Sequence, residues 1–206
     1  MKKPSFTLVQ ILVVILCFFI VLGALYAVYS VGMHYLRMAQ VQSRLQQQAS
    51  VAMQKVSREL STSLDDAHIT KASATPPFVW FLSTESLTGT SPILSFNYDS
   101  AGRLEWRKWV CFFLDSSTQQ LIRSELPLAG APQKQPFGTI PAPTLAGFQS
   151  AGGATRRMIA EDIDTFSVSR TGPGVFHISI VTALAGVDGK LSKTQLDSEV
   201  FILNTY

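Results

Sequence analysis

No charged side chain occurs between Lys3 and Arg37, and from Phe6 to Val31 the chain is almost wholly apolar, broken mainly by Thr7, Gln10 and Ser30. A helix of about 20 apolar residues crosses a bilayer, so this run is long enough with residues to spare. Lys2 and Lys3 stand just before it. Basic flanks stay on the cytoplasmic side, which predicts a single pass in the cytoplasmic membrane with the N-terminus inside and the rest of the chain outside. A secretory signal peptide is the competing reading. Its apolar core runs about 7–15 residues, shorter than this one, although Val28 and Ser30 could still serve a signal peptidase.

Past Ser30 the composition changes but the period does not. Val41, Leu45, Ala49, Ala52, Val56 and Leu60 recur at spacings of three and four, while Gln46, Gln47, Gln48, Ser57 and Arg58 fill the other faces. No proline lies between Pro4 and Pro76. The pattern predicts one continuous helix from Phe6 to Leu64, about 90 Å long at 1.5 Å per residue. Its first half is apolar all round; its second half is amphipathic, with two alanines that let another layer approach closely. A membrane anchor followed by a coiled-coil stalk is the alternative, but the stripe lasts about three heptads and lacks flanking opposite charges.

Thr75-Pro76-Pro77 ends the helical region. Strand-like runs follow at Phe78–Ser83, Ile93–Tyr98, Arg103–Leu114, Gln120–Glu125, Phe166–Arg170, Val175–Thr182 and Gln195–Leu203. Hairpin turns are expected at Asp99–Gly102, Thr171–Gly174 and Asp188-Gly189. Phe176, Ile178 and Ile180 alternate with His177 and Ser179, so one side of that strand should be solvated. Trp109–Leu114 does not alternate and reads as a central strand covered on both faces, with the amphipathic helix as one cover. Pro127–Gly153, rich in Pro, Gly, Ala and Gln, reads as an irregular surface loop. The expected class is α+β, a long N-terminal helix on an antiparallel sheet.

Composition bears on the function classes. The 206 residues are 47% hydrophobic and 15% charged, well under the usual quarter charged, which argues against disorder. Net charge is +3, but residues 1–72 hold seven Lys/Arg against three acids and the remainder ten against eleven. The β-rich part is therefore not basic, and nucleic acid is not an expected partner. Trp106, Arg107, Lys108 and Trp109 mix aromatic and basic residues as single-strand binders do, but in a continuous strand the two tryptophans would face opposite ways. Cys17 would lie in lipid and Cys111 in the sheet core, so the two cysteines cannot meet.

No nucleophile elbow, phosphate loop or dinucleotide fingerprint is present, and His34, His68 and His177 lack metal-ligand spacing. Glu161, Asp162 and Asp164 form the one acidic cluster, read as a solvated turn rather than a calcium loop. Neither catalysis nor a cofactor or metal is expected.

The segment Lys2-Lys3-Pro4-Ser5-Phe6-Thr7-Leu8-Val9-Gln10, running into Ile11–Ile15, resembles the class III signal of type IV pilins and pseudopilins: a short basic leader, a cut before Phe, then Thr-Leu-Val-Glu and a long apolar helix. The rest looks like the J-type minor pseudopilins of type II secretion and the W-type minor pilins, through the stretches Leu45–Leu60, Phe112–Asp115, Leu121–Arg123, Ala160–Phe166 and the closing strand ending at Asn204. The resemblance implies a pilin-like fold with a leader at residues 1–5, a membrane and assembly helix at 6–33, its amphipathic continuation at 34–72 and an extracytoplasmic β-rich domain at 73–206. It implies cleavage between Ser5 and Phe6 by a prepilin peptidase, N-methylation of Phe6, residence in membrane lipid, and extraction by an inner-membrane assembly platform into a filament with other pilins or pseudopilins.

This chain has Ser5 where the family has Gly before the cut, and Gln10 where the family has a Glu that pairs with a neighbour's amino terminus. An unpaired buried carboxylate costs several kcal/mol, an unpaired amide only about 1–3. Gln10 thus suits a subunit with no earlier neighbour to pair with, a minor, tip-proximal one that primes assembly. Gly23 and Gly32 are candidate points of close helix approach. A signal-anchored, monomeric extracytoplasmic binding domain is the alternative; an exported enzyme is a third, disfavoured one. Secretion, pilus and DNA-uptake systems are not separable from the chain alone.

Overall fold

The computed structural model describes residues 8–63, 71–74, 76–83, 100, 105–128, 143–150, 153–186 and 189–202. Helix α1 (Leu8–Ser61) runs without a break through the apolar segment and the amphipathic one. With no proline in its path and only the isolated glycines Gly23 and Gly32, nothing in the sequence interrupts the helical hydrogen-bond ladder. At its end the hydroxyls of Ser61, Thr62 and Ser63 donate to the carbonyls of Arg58, Glu59 and Leu60 at 2.8, 2.9 and 2.7 Å. Side chains thereby take up carbonyls that the ending helix leaves unpaired.

Among the described residues the strands form two antiparallel sheets. Strands β1 (Lys71–Ala74), β2 (Pro77–Ser83), β3 (Lys108–Asp115), β4 (Gln120–Pro127) and β5 (Thr155–Ala160) pair in chain order; β6 (Ile163–Gly172), β7 (Val175–Ala185) and β8 (Leu191–Phe201) form the second sheet. Gly174 in the β6–β7 turn and Gly189 before β8 have φ of +68° and +70°, values that cost a side-chain-bearing residue but not glycine. Asp188 and the expected elements Ile93–Tyr98 and Asp99–Gly102 lie outside the described residues, apart from Ser100.

Strands β2 and β3 are buried on both faces, as the unbroken apolar runs predict. Val79, Phe81, Val110 and Phe112 point into one core with Ala49, Ala52, Val56 and Leu60 of α1 and with Phe166, Val168, Phe176, Ile178 and Ile180 of the second sheet. The helix is therefore not the sole cover of that face: β6 also crosses the inner face of the first sheet, touching β1 to β4. Phe78, Trp80, Leu82, Trp109, Cys111 and Phe113 point the other way, into a second core closed by Trp106 and Phe148. Phe78 stacks on Trp80 with ring centroids 4.6 Å apart.

Four expectations need correction here. The helical continuation expected over 34–72 stops short: α1 ends at Ser61, and residues 71 and 72 belong to strand β1. Helix α2 (Leu145–Gln149) stands inside the stretch read as an irregular loop. The Thr144 hydroxyl caps it, Ser124 Oγ donates to the Phe148 carbonyl at 3.0 Å, and Phe148 is fully buried. One buried aromatic anchors five residues too few to show a helical period. Strand β3 starts at Lys108 rather than Arg103. Strand β5 was not expected at all; its consecutive Arg156 and Arg157 hide any alternation, and it is held by pairing with β4.

Candidate assembly helix and its docking to the sheets

The span from Leu8 to Leu36 carries no charge and rises about 44 Å, more than the roughly 30 Å of a bilayer's hydrocarbon. Residues 8–32 are all exposed. The side chains that a soluble core would hide stand open on every side of the rod, among them Phe18, Phe19, Ile20 and Leu25. Ser30 donates to the Ala27 carbonyl at 2.9 Å, so its hydroxyl is satisfied within the helix. Tyr26, Tyr29, His34 and Tyr35 precede Arg37 near the C-terminal end of the span; such amphipathic rings suit a headgroup boundary. The rod is thus compatible with membrane anchoring.

Gln10 lies in the first turn of α1, exposed, on the face shared by Val14, Cys17 and Val21. Ser5 and Phe6 lie outside the described residues. Gly23 and Gly32 have no atom within 4 Å of a built Cβ. Nine residues separate them, about two and a half turns, so they face opposite sides of the helix. They cannot both serve one helix pair, but each can meet a different neighbour.

From Leu45 onward α1 belongs to the β-rich domain. Leu45, Ala49, Ala52, Val56 and Leu60 are fully buried, the stripe that the spacing predicts; Val41 is half-buried. Burying each Leu or Val is worth about 1.5–3 kcal/mol. The alanines allow close approach to β7 and β8, where Thr182 Oγ1 reaches both the Leu45 carbonyl at 3.3 Å and the Thr194 carbonyl at 3.2 Å. One residue before Leu45, Arg44 pairs with Glu161 at 3.2 Å and Asp162 at 3.0 Å, and one turn further on Gln48 Oε1 accepts from the Glu161 amide at 3.1 Å. Asp164 pairs with Lys193 at 2.7 Å. The acidic cluster read as a solvated turn is therefore an ion-paired one that locks α1 to the β5–β6 corner.

The far end of α1 is held by a charge network that sequence reading missed. Arg123 Nε donates to both carboxylate oxygens of Glu59 at 2.8 Å, its Nη1 also meets Glu125, and Lys108 Nζ meets Glu125 at 3.0 Å. The Lys108 side chain is only 3% exposed. Burial works against the Glu125 charge, but Arg123 and then Lys108 outweigh it and hold the carboxyl below its ordinary range. Burial likewise opposes the Arg123 charge, yet Glu59 and Glu125 raise its pKa. A signal was present in the sequence: Glu59 sits in the last turn of α1, where the helix dipole disfavours an acid, so its placement calls for a cation from elsewhere.

Trp106 and Trp109 share one core rather than facing opposite ways. Trp106 makes an isolated bridge and the continuous strand begins only at Lys108, so the two-residue period does not reach back to Trp106. Both rings are buried, Lys108 is bound to Glu125 and Arg107 to Glu105 at 2.8 Å. Both tryptophans and Lys108 are thus spent inside the domain, while Arg107 stays at the surface. Cys111 is buried and unpaired, its thiol pushed well above the ordinary range by burial; Cys17 is exposed on the rod. Among the described residues no three His, Cys, Asp or Glu side chains gather to hold a metal ion.

Compared with protein-family models, with curated proteins and with solved structures, the chain gives no match. The chain is an α+β protein: a long N-terminal helix, apolar and bare over its first half, packed through its second half on antiparallel sheets.

Proposed function

We propose that this chain is a membrane-anchored structural subunit of a type IV pilus or type II secretion pseudopilus, of the minor pilin or pseudopilin kind, with no catalysis of its own. The observation that carries this reading is the single helix with two environments. A rod apolar on every side is stable in lipid or in a bundle of like rods, so it can pass between them at modest net cost. The rigid continuation of the rod into the domain core means that a pull on one moves the other. The segment around Phe6 supports processing at Ser5–Phe6 by a prepilin peptidase, which would also remove Lys2 and Lys3 and with them the cytoplasmic basic anchor. Glycines on opposite sides of the rod suit a bundle in which it has neighbours all round. Gln10 in place of a carboxylate favours a tip-proximal place that primes assembly.

Mass spectrometry of the mature N-terminus tests the proposal: N-methyl-Phe6 is expected, with the protein in sheared surface filaments when the assembly ATPase is active. An intact Met1 in cells with an active peptidase, and retention in the membrane as a monomer, would instead assign a signal-anchored binding domain.

A further inference from the structure

We propose that the part of α1 beyond the apolar span carries a seam for one parallel helix, the acidic helix of a different membrane-anchored chain. Arg37, Arg44, Val51 and Arg58 stand seven residues apart, and so do Gln40, Gln47 and Gln54. The two sets interleave at steps of three and four, and all seven side chains are exposed. A line of period 3.5 winds slowly round a helix of 3.6 residues per turn, which is the path a second helix follows. The line spans about 32 Å and lies nearly opposite the buried stripe of Leu45, Ala49, Ala52 and Val56, on the side of the rod turned away from the sheets.

Its charge has one sign. A helix face that only meets water commonly alternates acids with bases. Here the sole acid of α1 is Glu59, and Glu59 is bound to Arg123. Arg37 and Arg58 have no ion-pair partner among the described residues. Arg44 pairs with Glu161 and Asp162 yet keeps half of its side chain exposed. Guanidinium and amide groups on successive turns offer N–H donors to carboxylates on successive turns of a facing helix. Val51, left exposed midway along the line, would pack on the stems of the facing side chains.

A second copy does not fit. Seated in parallel, it would set arginine against arginine, and its α1 has no free acid to offer. Nucleic acid fits less well than a helix: Glu161 and Asp162 stand beside Arg44, and Trp106 and Trp109 are buried, so neither ring can stack on a base. The same seven-residue line continues into the apolar span through Ser30 and Gly23. The Ser30 hydroxyl is satisfied within the helix, and nothing lies within 4 Å of a Cβ built on Gly23. Two rods can therefore approach closely in lipid and separate outward to the reach of an arginine–carboxylate pair. The seam is open in the unassembled chain and filled on assembly. This deepens the assembly reading by naming the partner's chemistry; it rests on that reading's membrane-resident rod but not on cleavage at Ser5. A seam that rejects its own copy suits a minor subunit set among different neighbours.

The test uses the full-length chain in its native cells with the assembly ATPase active. The photo-reactive residue p-benzoylphenylalanine replaces Gln47 on the seam or, as a control, Gln46 off it. An adduct is expected at 47 and not at 46, with a different chain, on a peptide that follows an apolar span and carries Asp or Glu seven residues apart. Arg37→Glu with Arg58→Glu should lower its yield about tenfold, and changing the facing acids of that chain to Lys should restore it. Resistance of the buried Cys111 to a thiol reagent, in a Cys17→Ser background, checks that each variant is folded. An adduct with a second copy, with nucleic acid or with lipid, equal adducts at 46 and 47, no adduct in folded protein, or indifference to charge reversal would each overturn the proposal. The N-terminal residue is read from the same samples. An intact Met1 with the adduct removes processing alone; N-methyl-Phe6 without the adduct removes the seam alone.

Discussion

From Leu8 to Gln40, α1 fully buries no side chain, whereas from Leu45 to Leu60 it buries one at every third or fourth position. The backbone ladder is the same in both halves, so the difference lies wholly in side-chain pattern. An all-round apolar surface has no preferred side and must find a solvent or a bundle that surrounds it. A stripe with polar flanks has one preferred side and finds a sheet. The contrast extends to how each half is held. The second half is fixed by apolar burial, by Arg44 at one end and by Glu59 at the other. The first half fully buries none of its described side chains in the domain and must draw its stability from its surroundings.

Perturbing the second half should unfold the domain, and perturbing the first should leave it intact. The largest effect is expected from Arg123→Met, which strands Glu59 and Glu125 without their shared cation. Chemical denaturation in detergent, followed by near-ultraviolet circular dichroism of the buried tryptophans, should show a loss of about 3–5 kcal/mol. Glu59→Gln with Arg123→Met should recover most of it, because Glu125 and Lys108 remain a balanced pair.

Next comes Leu45→Ala, expected to cost about 2–5 kcal/mol in the same assay, against less than about 0.5 for Leu22→Ala. Equal costs would erase the distinction between the halves. Leu22→Arg should raise the cost of membrane insertion by about 2.5–3.5 kcal/mol, read from the inserted fraction during translation, while the domain's unfolding midpoint stays unchanged.

The smallest effect concerns acid. Glu125 has a depressed folded pKa, so its contribution is complete above its unfolded value near 4.3 and is lost as pH falls through the folded one. The melting temperature should therefore drop on acidification below about pH 4.5, and Glu125→Gln should make that part of the profile shallower.

Long-period features were legible in the sequence. The buried stripe of α1, the two-sided burial of Trp109–Phe113 and the alternation of Phe176, Ile178 and Ile180 all follow from hydrophobic period, because each element is long enough to repeat its pattern. Short or irregular features were not. α2 is five residues held by Phe148, β5 has two adjacent arginines, and Trp106 precedes the point where extended pairing starts. The charge network joins positions 64 residues apart through Glu59 and Arg123; an acid in the last turn of α1 announces that a cation is needed, but not which one. Of the apolar half of α1, the bare surface and the place of Gln10 could be read directly; that Gly23 and Gly32 oppose one another needed only the helical repeat.

Cysteine scanning of α1 in native membranes tests the two-environment helix most directly. Single cysteines from position 8 to 60, in a Cys17→Ser background, would be labelled with a membrane-impermeant maleimide. The account predicts continuous protection through the apolar span. It predicts periodic labelling after position 40, with positions 45, 49, 52, 56 and 60 protected and 46, 47, 50 and 54 modified. Labelling in a three-to-four-residue period within the first half, or uniform labelling of the second, would contradict it.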